Sequence, residues 1–340
     1  MSAPPRAFGD KPGLPNPCPP YILPCVMTVE QTGEDSLIRR LKRLAPGRGD
    51  IVAGIGDDCA VVRTGRRDAF DLLLKSDPVI EGIHFRPDAT ASAIGHKAVG
   101  RVLSDLAAMG GEPLWILVDL VSPPETQVAH IEAIYRGIAR LSRRYGAAIV
   151  GGDTCCGNVL ELHVFAVGRV KRGNAVLRSG ARPGDGIYVT GALGGSGLGR
   201  HLRFEPRLAE GQWLSGQGWV TAMMDVSDGL ATDLRRLNTA SGTGSVLDIG
   251  KIPIAAAIRR LRDGKSALEH ALADGEDFEL LFTVPSRKTA AFETAWRKAF
   301  SLRCTRIGEM TEKTGEVKLR DGLCCHELTF HGYEHFRTDP

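Results

Sequence analysis

Apolar and polar positions along this chain follow two different periods, and the period changes many times from one end to the other. Alternating or continuous apolar runs predict strands, whereas apolar residues three or four positions apart predict helices. The clearest helix is predicted for 128–145, with Val128, Ile131 and Ile138 on one face and Gly146 at its end. Strands and helices alternate from there to the C-terminus, which is typical of a mixed α/β (α+β) fold.

The same reading predicts the other elements. Further helices are expected at 35–44, 94–109, 230–237, 254–261 and 289–300. Strands are expected at 59–63, 70–75, 115–120, 147–150, 160–170, 186–190, 221–224, 245–249, 278–284 and 304–308, the last as the closing strand.

A segment rich in glycine, arginine and proline at 171–185 separates the chain into two halves. Many prolines and no apolar period at the N-terminus predict a disordered arm. We therefore predict an arm at 1–29, an N-terminal domain at 30–172 and a C-terminal domain at 173–340.

Composition narrows the class of protein. Hydrophobic residues at 43% and charged residues at 24% are typical of a soluble globular protein. A net charge of +3 and 6% aromatic residues argue against a nucleic-acid partner, and the lack of an apolar run of about 18 residues argues against a membrane partner. The eight cysteines form no C-x-x-C pair and follow no secretory signal. We therefore expect reduced thiols and a cytoplasmic protein.

Acidic residues set among glycine or other small residues recur along the whole chain. They lie in the segments 54–58, 75–77, 104–110, 151–154, 225–229 and 274–279. Most of these segments follow a predicted strand or lie in a predicted helix, so their carboxylates are expected to converge on one site. Mg²⁺ is bound in proteins by a few carboxylates together with phosphate oxygens and water. The pattern therefore predicts metal-phosphate chemistry.

The glycine-rich stretch 191–199 is a weaker signal. It lacks the lysine and hydroxyl residue of a P-loop, and its glycines miss the dinucleotide-binding spacing. We interpret it as a flexible turn that leads into a helix, with a phosphate cradle as the less favoured alternative.

Six motifs in order carry a resemblance to a known family. They are Gly-Ile-Gly-Asp-Asp (54–58), Ser-Asp-Pro-Val-Ile-Glu-Gly-Ile-His-Phe (76–85), Leu-Ser-Asp-Leu-Ala-Ala-Met-Gly-Gly-Glu-Pro (103–113), Val-Gly-Gly-Asp-Thr (150–154), Asp-Val-Ser-Asp-Gly-Leu (225–230) and Gly-Glu-Asp-Phe-Glu-Leu (275–280). Together they resemble the thiamine-monophosphate kinases, in the superfamily of aminoimidazole ribonucleotide synthetase and selenophosphate synthetase. Each motif alone is weak, but six in this order are specific.

The resemblance implies a two-domain synthetase-superfamily fold, in which the mixed N-terminal sheet pairs across a homodimer. It also implies that ATP, as co-substrate, phosphorylates thiamine monophosphate to thiamine diphosphate, the final step of thiamine diphosphate biosynthesis. Several Mg²⁺ ions are expected beside the phosphates. Because phosphoryl transfer needs positioning and charge neutralisation, we expect direct in-line transfer without a catalytic side chain.

The resemblance also implies site residues. The expected metal ligands are Asp58, Lys75, Ser76, Asp77, Asp105, Asp153, Asp225 and Asp228. The expected nucleotide contacts are Asp58, Tyr135, Gly152, Asp153, Arg178 and Ser227, and the expected thiamine contacts are His84, Glu276, Asp277 and Tyr333. The family usually has a hydroxyl residue where this chain has Lys75, whose carbonyl could still serve, and a glycine where this chain has Asp274.

Alternatives stay open at this point. Another ATP-dependent synthetase of the superfamily would share the fold, and a non-catalytic regulator that binds nucleotide or thiamine phosphate would share much of the site. Zinc-dependent hydrolysis is a weaker alternative, because the motifs offer carboxylates and few His or Cys ligands. Tyr135 could instead be a core residue, Tyr333 an anchor for the C-terminus, and Asp57 a turn residue.

Overall fold

The computed structural model describes residues 27–336, so the arm predicted for 1–29 lies almost wholly outside it. Within that range the α-helices are α1 (Val29–Thr32), α2 (Glu34–Leu44), α3 (Ala91–Ala108), α4 (Val128–Arg144), α5 (Leu208–Gly216), α6 (Leu230–Ser241), α7 (Ala267–Ala273) and α8 (Thr289–Ala299). The first strands are β1 (Ile51–Ala53), β2 (Ala60–Val62), β3 (Phe70–Ile80), β4 (Glu112–Ser122), β5 (Ala148–Gly151), β6 (Thr154–Cys156) and β7 (Glu161–Lys171). The later strands are β8 (Gly186–Thr190), β9 (Ala222–Asp225), β10 (Gly244–Asp248), β11 (Leu280–Val284), β12 (Cys304–Thr311), β13 (Val317–Asp321) and β14 (Cys324–Glu327).

The N-terminal half forms a mixed sheet in the order β1-β2-β3-β7-β4-β5, with β6 also paired to β4. The pairs of β4 with β5 and with β6 are parallel, and the other pairs are antiparallel. Helix α3 packs against this sheet and against α4. Gly95 and Gly137 allow this close helix contact, because a Cβ at either position would clash with the backbone of the other helix region.

The C-terminal half forms a second sheet in the order β14-β13-β10-β12-β8-β11-β9. Tyr188, Phe282 and Phe292 pack against one another with ring centroids 5.1–5.7 Å apart; the first two rings are stacked, and Phe292 meets both edge-on. The mixed α/β fold with two sheets confirms the predicted fold class.

Helix α3 joins the two halves. It contacts β3 and β7 of the first sheet, and also β9 and α5 of the second half. Most of its length is therefore buried, including Lys97 and Asp105. Charged residues buried on a central helix need partners, and this helix runs directly behind the site described below.

Two predicted elements are wrong. The expected helix at 254–261 is a 3₁₀ turn over Ala256–Arg260, because Leu193 pairs with the backbone of Pro253 and Ala255 and holds the start of the segment extended. The strand at 304–308 does not close the second sheet, since β13 and β14 follow it around the turn at Gly322. No helix among residues 27–336 has the length and apolarity to cross a membrane.

Candidate active site

A cavity of about 1050 Å³ lies between the two halves. We call it the aspartate cavity. Its walls come from the β1–β2 connection, β3, α3, the turn between β9 and α6, and the C-terminal segment 331–335. Elements far apart in sequence therefore converge here, as the acidic motifs predict.

Three buried carboxylates form the floor of the aspartate cavity. Asp58, Asp105 and Asp225 each place an oxygen within 4.8 Å of the other two. They are only 1%, 6% and 2% exposed. Asp58 precedes β2, Asp105 lies in α3 and Asp225 ends β9. Three separate segments of the chain thus place one carboxylate each at the same position in the cavity.

The turn after β9 is shaped by a carboxylate that sequence reasoning did not select. The fully buried Asp233 accepts hydrogen bonds from the backbone N–H groups of Ser227 and Asp228, both at 3.0 Å. Arg236 forms an ion pair with Asp228 and lies 3.3 Å from Asp233. These contacts fix the turn beside Asp225.

Cations balance only part of the negative charge. Arg178 donates to Asp58 Oδ1 from Nη2 at 2.6 Å and from Nε at 3.2 Å. Lys75 Nζ lies 3.2 Å from Asp105 and 3.6 Å from Asp77. Asp58 Oδ2, by contrast, is buried without a hydrogen-bond partner. An unpaired buried carboxylate oxygen is costly, so this atom marks a place where a cation fits.

Burial and mutual repulsion disfavour ionisation of these carboxylates. Burial, with the charge of Asp58, raises the pKa of Asp225 to about 7, although the Ser104 hydroxyl donates to it at 2.5 Å. Burial also raises the pKa of Asp105, against the opposing charge of Lys75. The pKa of Lys75 is itself raised, because Asp105 and Asp77 outweigh the effect of its burial. A bound cation would restore full ionisation.

A second cavity of about 570 Å³ lies nearby and is lined by His84, His201 and Glu276. We call it the histidine cavity. Lys97, which is fully buried, lies behind it and donates to the His84 carbonyl and to Glu276, the latter at 2.6 Å. The Ile80 N–H donates to His84 Nδ1 at 3.0 Å. A neutral His84 therefore carries its proton on Nε2.

Charges in the histidine cavity keep its carboxylate ionised. Burial opposes ionisation of Glu276, but the His201 hydrogen bond and the Lys97 charge outweigh it and hold the pKa of Glu276 at about 2. Burial and the charge of Arg101 lower the pKa of His84 to about 4. Burial lowers the pKa of Lys97 to about 8. At neutral pH the cavity therefore presents a neutral imidazole beside an anionic carboxylate.

Two sets of contacts join the cavities. Arg101 lies 3.8 Å from Asp77 in one and 3.4 Å from Glu276 in the other. The ring of His335 lies 5.9 Å from that of His84 and 4.9 Å from that of Tyr333. The two cavities are thus adjoining parts of one cleft.

The structure brings most of the expected site residues to this cleft. Those that line the aspartate cavity are Asp58, Lys75, Ser76, Asp77, Asp105, Arg178, Asp225, Ser227, Asp228 and Tyr333. His84 and Glu276 line the histidine cavity. Asp277 is in neither group: it accepts hydrogen bonds from Gly194 N–H at 2.9 Å and interacts with Arg200 at 3.3 Å.

Tyr135, Gly152 and Asp153 lie elsewhere: Tyr135 is in α4, and the other two are at the far edge of the first sheet. Asp153 is exposed between β5 and β6, whereas Asp58 lies at the opposite edge beside β2. Four strand spacings separate these edges, or roughly 20 Å. Gly152 packs so closely on β4 that a Cβ would clash with the Val118 carbonyl oxygen. One chain therefore does not bring these three residues to the cleft.

The glycine-rich stretch, which we interpreted as a turn that leads into a helix, forms a 3₁₀ turn at Ser196–Leu198 and is followed by a second 3₁₀ turn at Arg200–Leu202; the next α-helix, α5, begins only at Leu208. Two of its N–H groups are already bound, since Gly194 donates to Asp277 and Gly195 donates to Asp274 at 2.7 Å. These N–H groups are not available to a phosphate. The carboxylate of Asp274 thus fastens the loop.

Sequence reasoning missed the cations on α3. Lys97, Arg101 and Asp105 are spaced four residues apart, so they form one stripe along the helix. The stripe runs from the histidine cavity to the aspartate cavity. The i, i+4 spacing from Asp105 was the signal that could have identified Arg101.

Comparison with known families agrees with this architecture. The family model "AIR synthase related protein, N-terminal domain" matches residues 56–170, and "AIR synthase related protein, C-terminal domain" matches residues 182–320. The two matches correspond to the two sheets and together cover most of the chain.

Individual relatives are more specific. The chain is 37% identical to the thiamine-monophosphate kinase of Salmonella typhimurium over 90% of this chain and 99% of that protein. It is 36% identical to that of Escherichia coli K12, with the same coverage. The solved structure of AaThiL complexed with AMPPCP and TMP superposes with a TM-score of 0.79 at 31% identity, covering 92% of this chain and all of that one. The chain therefore belongs to the thiamine-monophosphate kinase family, within the AIR synthase related proteins.

Proposed function

We propose that this chain transfers the γ-phosphoryl group of ATP to thiamine monophosphate, giving thiamine diphosphate and ADP. The observation that carries the proposal is its 36–37% identity, over 90% of its length, to thiamine-monophosphate kinases. The structural likeness to AaThiL, which was solved in complex with TMP and with AMPPCP, an ATP analogue, supports the same reaction. A cytoplasmic location, where ATP is made and used, is part of the proposal.

We propose Mg²⁺ as the cofactor because the residues of the aspartate cavity fit it. The carboxylates of Asp58, Asp105 and Asp225 converge within 4.8 Å, and Asp58 Oδ2 has no partner. Oxygen ligands of this kind suit Mg²⁺ better than zinc. Asp77 and Asp228 line the same cavity and would add ligands. Bound there, Mg²⁺ would neutralise phosphate charge.

The chain's own residues would position the two substrates. Arg178 lies at the edge of the carboxylate cluster and can contact a phosphate while it pairs with Asp58. An oxygen of the thiamine monophosphate phosphate attacks the γ-phosphorus as the bond to the ADP oxygen breaks. The attacking oxygen of thiamine monophosphate is already ionised at neutral pH, so the reaction needs no general base. Because transfer is direct, it also needs no phosphorylated side chain.

The histidine cavity suits the thiamine part of the acceptor. Thiamine carries a permanently cationic thiazolium ring, and the ionised Glu276 offers it an opposite charge. The rings of Tyr333 and His335 give aromatic faces near the junction of the cavities. We propose Glu276, and not the buried Asp277, as the acidic contact, because Asp277 is bound under the glycine-rich loop.

We also propose that the protein forms a homodimer. The face of the first sheet that points away from α3 carries exposed apolar side chains in adjacent strands. Phe165 is paired with Ser76 on one side and Leu117 on the other, and Trp115 and Leu74 flank Val167. These large side chains are 38–47% exposed. A contiguous apolar face of this kind marks an interaction surface.

We propose that this face pairs with the same face of a second copy. Pairing would let Tyr135, Gly152 and Asp153 of the partner subunit approach the aspartate cavity, which they do not reach in one chain. A shared site of this kind is compatible with the two-fold symmetry of most homodimers.

Mixed dimers test the shared site. Asp58→Asn and Asp153→Asn should each be inactive alone, because each cripples every site. After unfolding and refolding together, about a quarter of wild-type activity should return, since half of the dimers are mixed and carry one intact site each. A mixture as inactive as its components would show that each subunit works alone. As a control for refolding, Asp153→Asn is mixed with Asp71→Asn, since Asp71 is buried and pairs with Arg63; about half of wild-type activity should return whether or not the site is shared.

The activity itself is tested with purified protein, ATP, Mg²⁺ and thiamine monophosphate, with free thiamine as the control acceptor. We expect ADP and thiamine diphosphate in equal amounts from the monophosphate alone. ADP without thiamine diphosphate would favour another synthetase of the superfamily. A folded protein that binds the nucleotide and forms neither product would favour a non-catalytic regulator.

A further inference from the structure

Lys75 is the residue of the aspartate cavity that departs from the hydroxyl expected there. It lies on β3, where successive side chains point to opposite faces of the sheet. Lys75 and Asp77 therefore point to the α3 side, whereas Ser76 between them points to the exposed face. The side chain of Lys75 is only 21% exposed. Its position is thus determined by the strand and is not that of a mobile surface lysine.

The ammonium group bridges two carboxylates. Lys75 Nζ lies 3.2 Å from Asp105 Oδ2 and 3.6 Å from Asp77 Oδ1. Asp105 belongs to the converging group with Asp58 and Asp225. Within residues 27–336 Asp105 forms no other ion pair, whereas Asp77 also lies 3.8 Å from Arg101.

We propose that the Lys75 ammonium permanently fills one cation position of the aspartate cavity, between Asp77 and Asp105, so that this chain binds one divalent ion fewer than a variant without it. A divalent ion between the same two carboxylates would lie against the ammonium, and like charges at such distances repel strongly in a buried site. The inference rests on the proposed function only in taking Mg²⁺ as the cofactor. The fixed charge supplies part of the neutralisation that an ion would otherwise give.

Counting bound Mn²⁺ tests the inference without any turnover. Mn²⁺ is titrated into metal-free, full-length protein, and the unbound ion is measured by its paramagnetic resonance signal. We expect Lys75→Ser to bind more Mn²⁺ than the wild type, by about one ion per chain, because it removes the ammonium and adds an oxygen. Lys75→Arg keeps the charge and should match the wild type. Lys42→Ser removes a lysine that lines the same cavity and should also match.

Equal Mn²⁺ counts for wild type and Lys75→Ser would overturn the inference and leave the kinase proposal intact. No Mn²⁺ bound by any variant would overturn both the inference and the proposed cofactor. If Lys75→Ser does not fold, wild-type crystals soaked in Mn²⁺ give the answer by anomalous scattering. We expect no Mn²⁺ peak that bridges Asp77 and Asp105, and a peak there with a displaced Lys75 would contradict the inference.

Discussion

The aspartate cavity and the histidine cavity both contain carboxylates, but under opposite electrostatic conditions. In the first, burial and neighbouring carboxylates raise the pKa of Asp225 to about 7. In the second, His201 and Lys97 hold the pKa of Glu276 at about 2 despite burial. The cations of the first cavity, Lys75 and Arg178, do not balance its carboxylates, whereas Lys97 and His201 balance Glu276 in the second. The first is thus suited to metal and phosphate, and the second to a charged organic ring.

Removing a carboxylate from the aspartate cavity should have the largest effect. Asp225→Asn keeps the shape and the Ser104 contact but loses the charge, so we expect kcat to fall by about 10³-fold, the upper end of the loss seen when one group that stabilises transition-state charge is removed. Steady-state kinetics at saturating Mg²⁺ measures it. Asp71→Asn is the control, because Asp71 is buried and paired with Arg63 away from the cleft. That control should lose stability and keep its kcat.

Asp225→Asn should also change the way in which the free energy of unfolding depends on pH. The pKa of Asp225 is raised from 3.8 to about 7, so between these pH values the native state holds a proton that the unfolded state lacks. The free energy of unfolding of the metal-free protein should therefore fall as pH rises through this window. Asp225→Asn should flatten that slope in urea melts. An unchanged slope would mean that Asp225 is ionised without a metal.

Neutralising the carboxylate of the histidine cavity should have a smaller and more selective effect. We expect Glu276→Gln to lower kcat/KM for thiamine monophosphate by about 10²-fold, the cost of one charged contact and of an unpaired Lys97, while the KM for ATP stays unchanged. Initial-rate kinetics with each substrate varied measures this. Glu112→Gln on the surface is the matched control. Equal losses for both substrates would contradict a separate thiamine subsite.

The aromatic contact at the junction should contribute less. Tyr333→Leu is expected to raise the KM for thiamine monophosphate by about tenfold, the scale of one aromatic contact with a cation. Tyr333→Phe keeps the ring and should behave as wild type. If the KM for thiamine monophosphate is the same in Tyr333→Leu and Tyr333→Phe, the ring of Tyr333 does not contact the substrate. Tyr333 then only anchors the C-terminal segment, through the hydrogen bond from its backbone N–H to the Asp228 carbonyl.

The smallest expected effect is the pH response of His84. With its pKa lowered to about 4, His84 should stay neutral from about pH 5.5 to about pH 8. Its imidazole proton resonance, assigned by comparison with His84→Gln, should then not titrate over that range. A midpoint near the ordinary histidine value of about 6.5 would show that burial and the charge of Arg101 do not lower the pKa of His84 as described.

The sequence was sufficient to predict the convergence of residues whose position follows from one element. Asp225 ends a predicted apolar strand and Asp105 lies in a predicted helix, and both reach the cavity. To predict where these two carboxylates lie, it was enough to predict the strand or helix that carries each of them. The mixed α/β class followed from the same patterns.

Other features depend on strand order, which local patterns do not specify. Asp153 follows a strand much as Asp225 does, but β5 lies at the far edge of the first sheet. Asp277 is adjacent to Glu276, yet the backbone turns with positive φ at Glu276 and Phe278 and directs the two side chains to different places. Arg236 becomes part of the site through its ion pairs with Asp228 and Asp233. Such tertiary contacts cannot be predicted from the local spacing of apolar residues.

A rapid-quench experiment with γ-labelled ATP distinguishes direct transfer from ATP to thiamine monophosphate from transfer through the protein. Protein in excess over ATP is mixed with Mg²⁺ and the acceptor, and label is followed in each product. We expect labelled thiamine diphosphate to appear at the same rate as ADP, with no labelled protein at any time. Labelled protein that forms first, or label released only as inorganic phosphate, would contradict it.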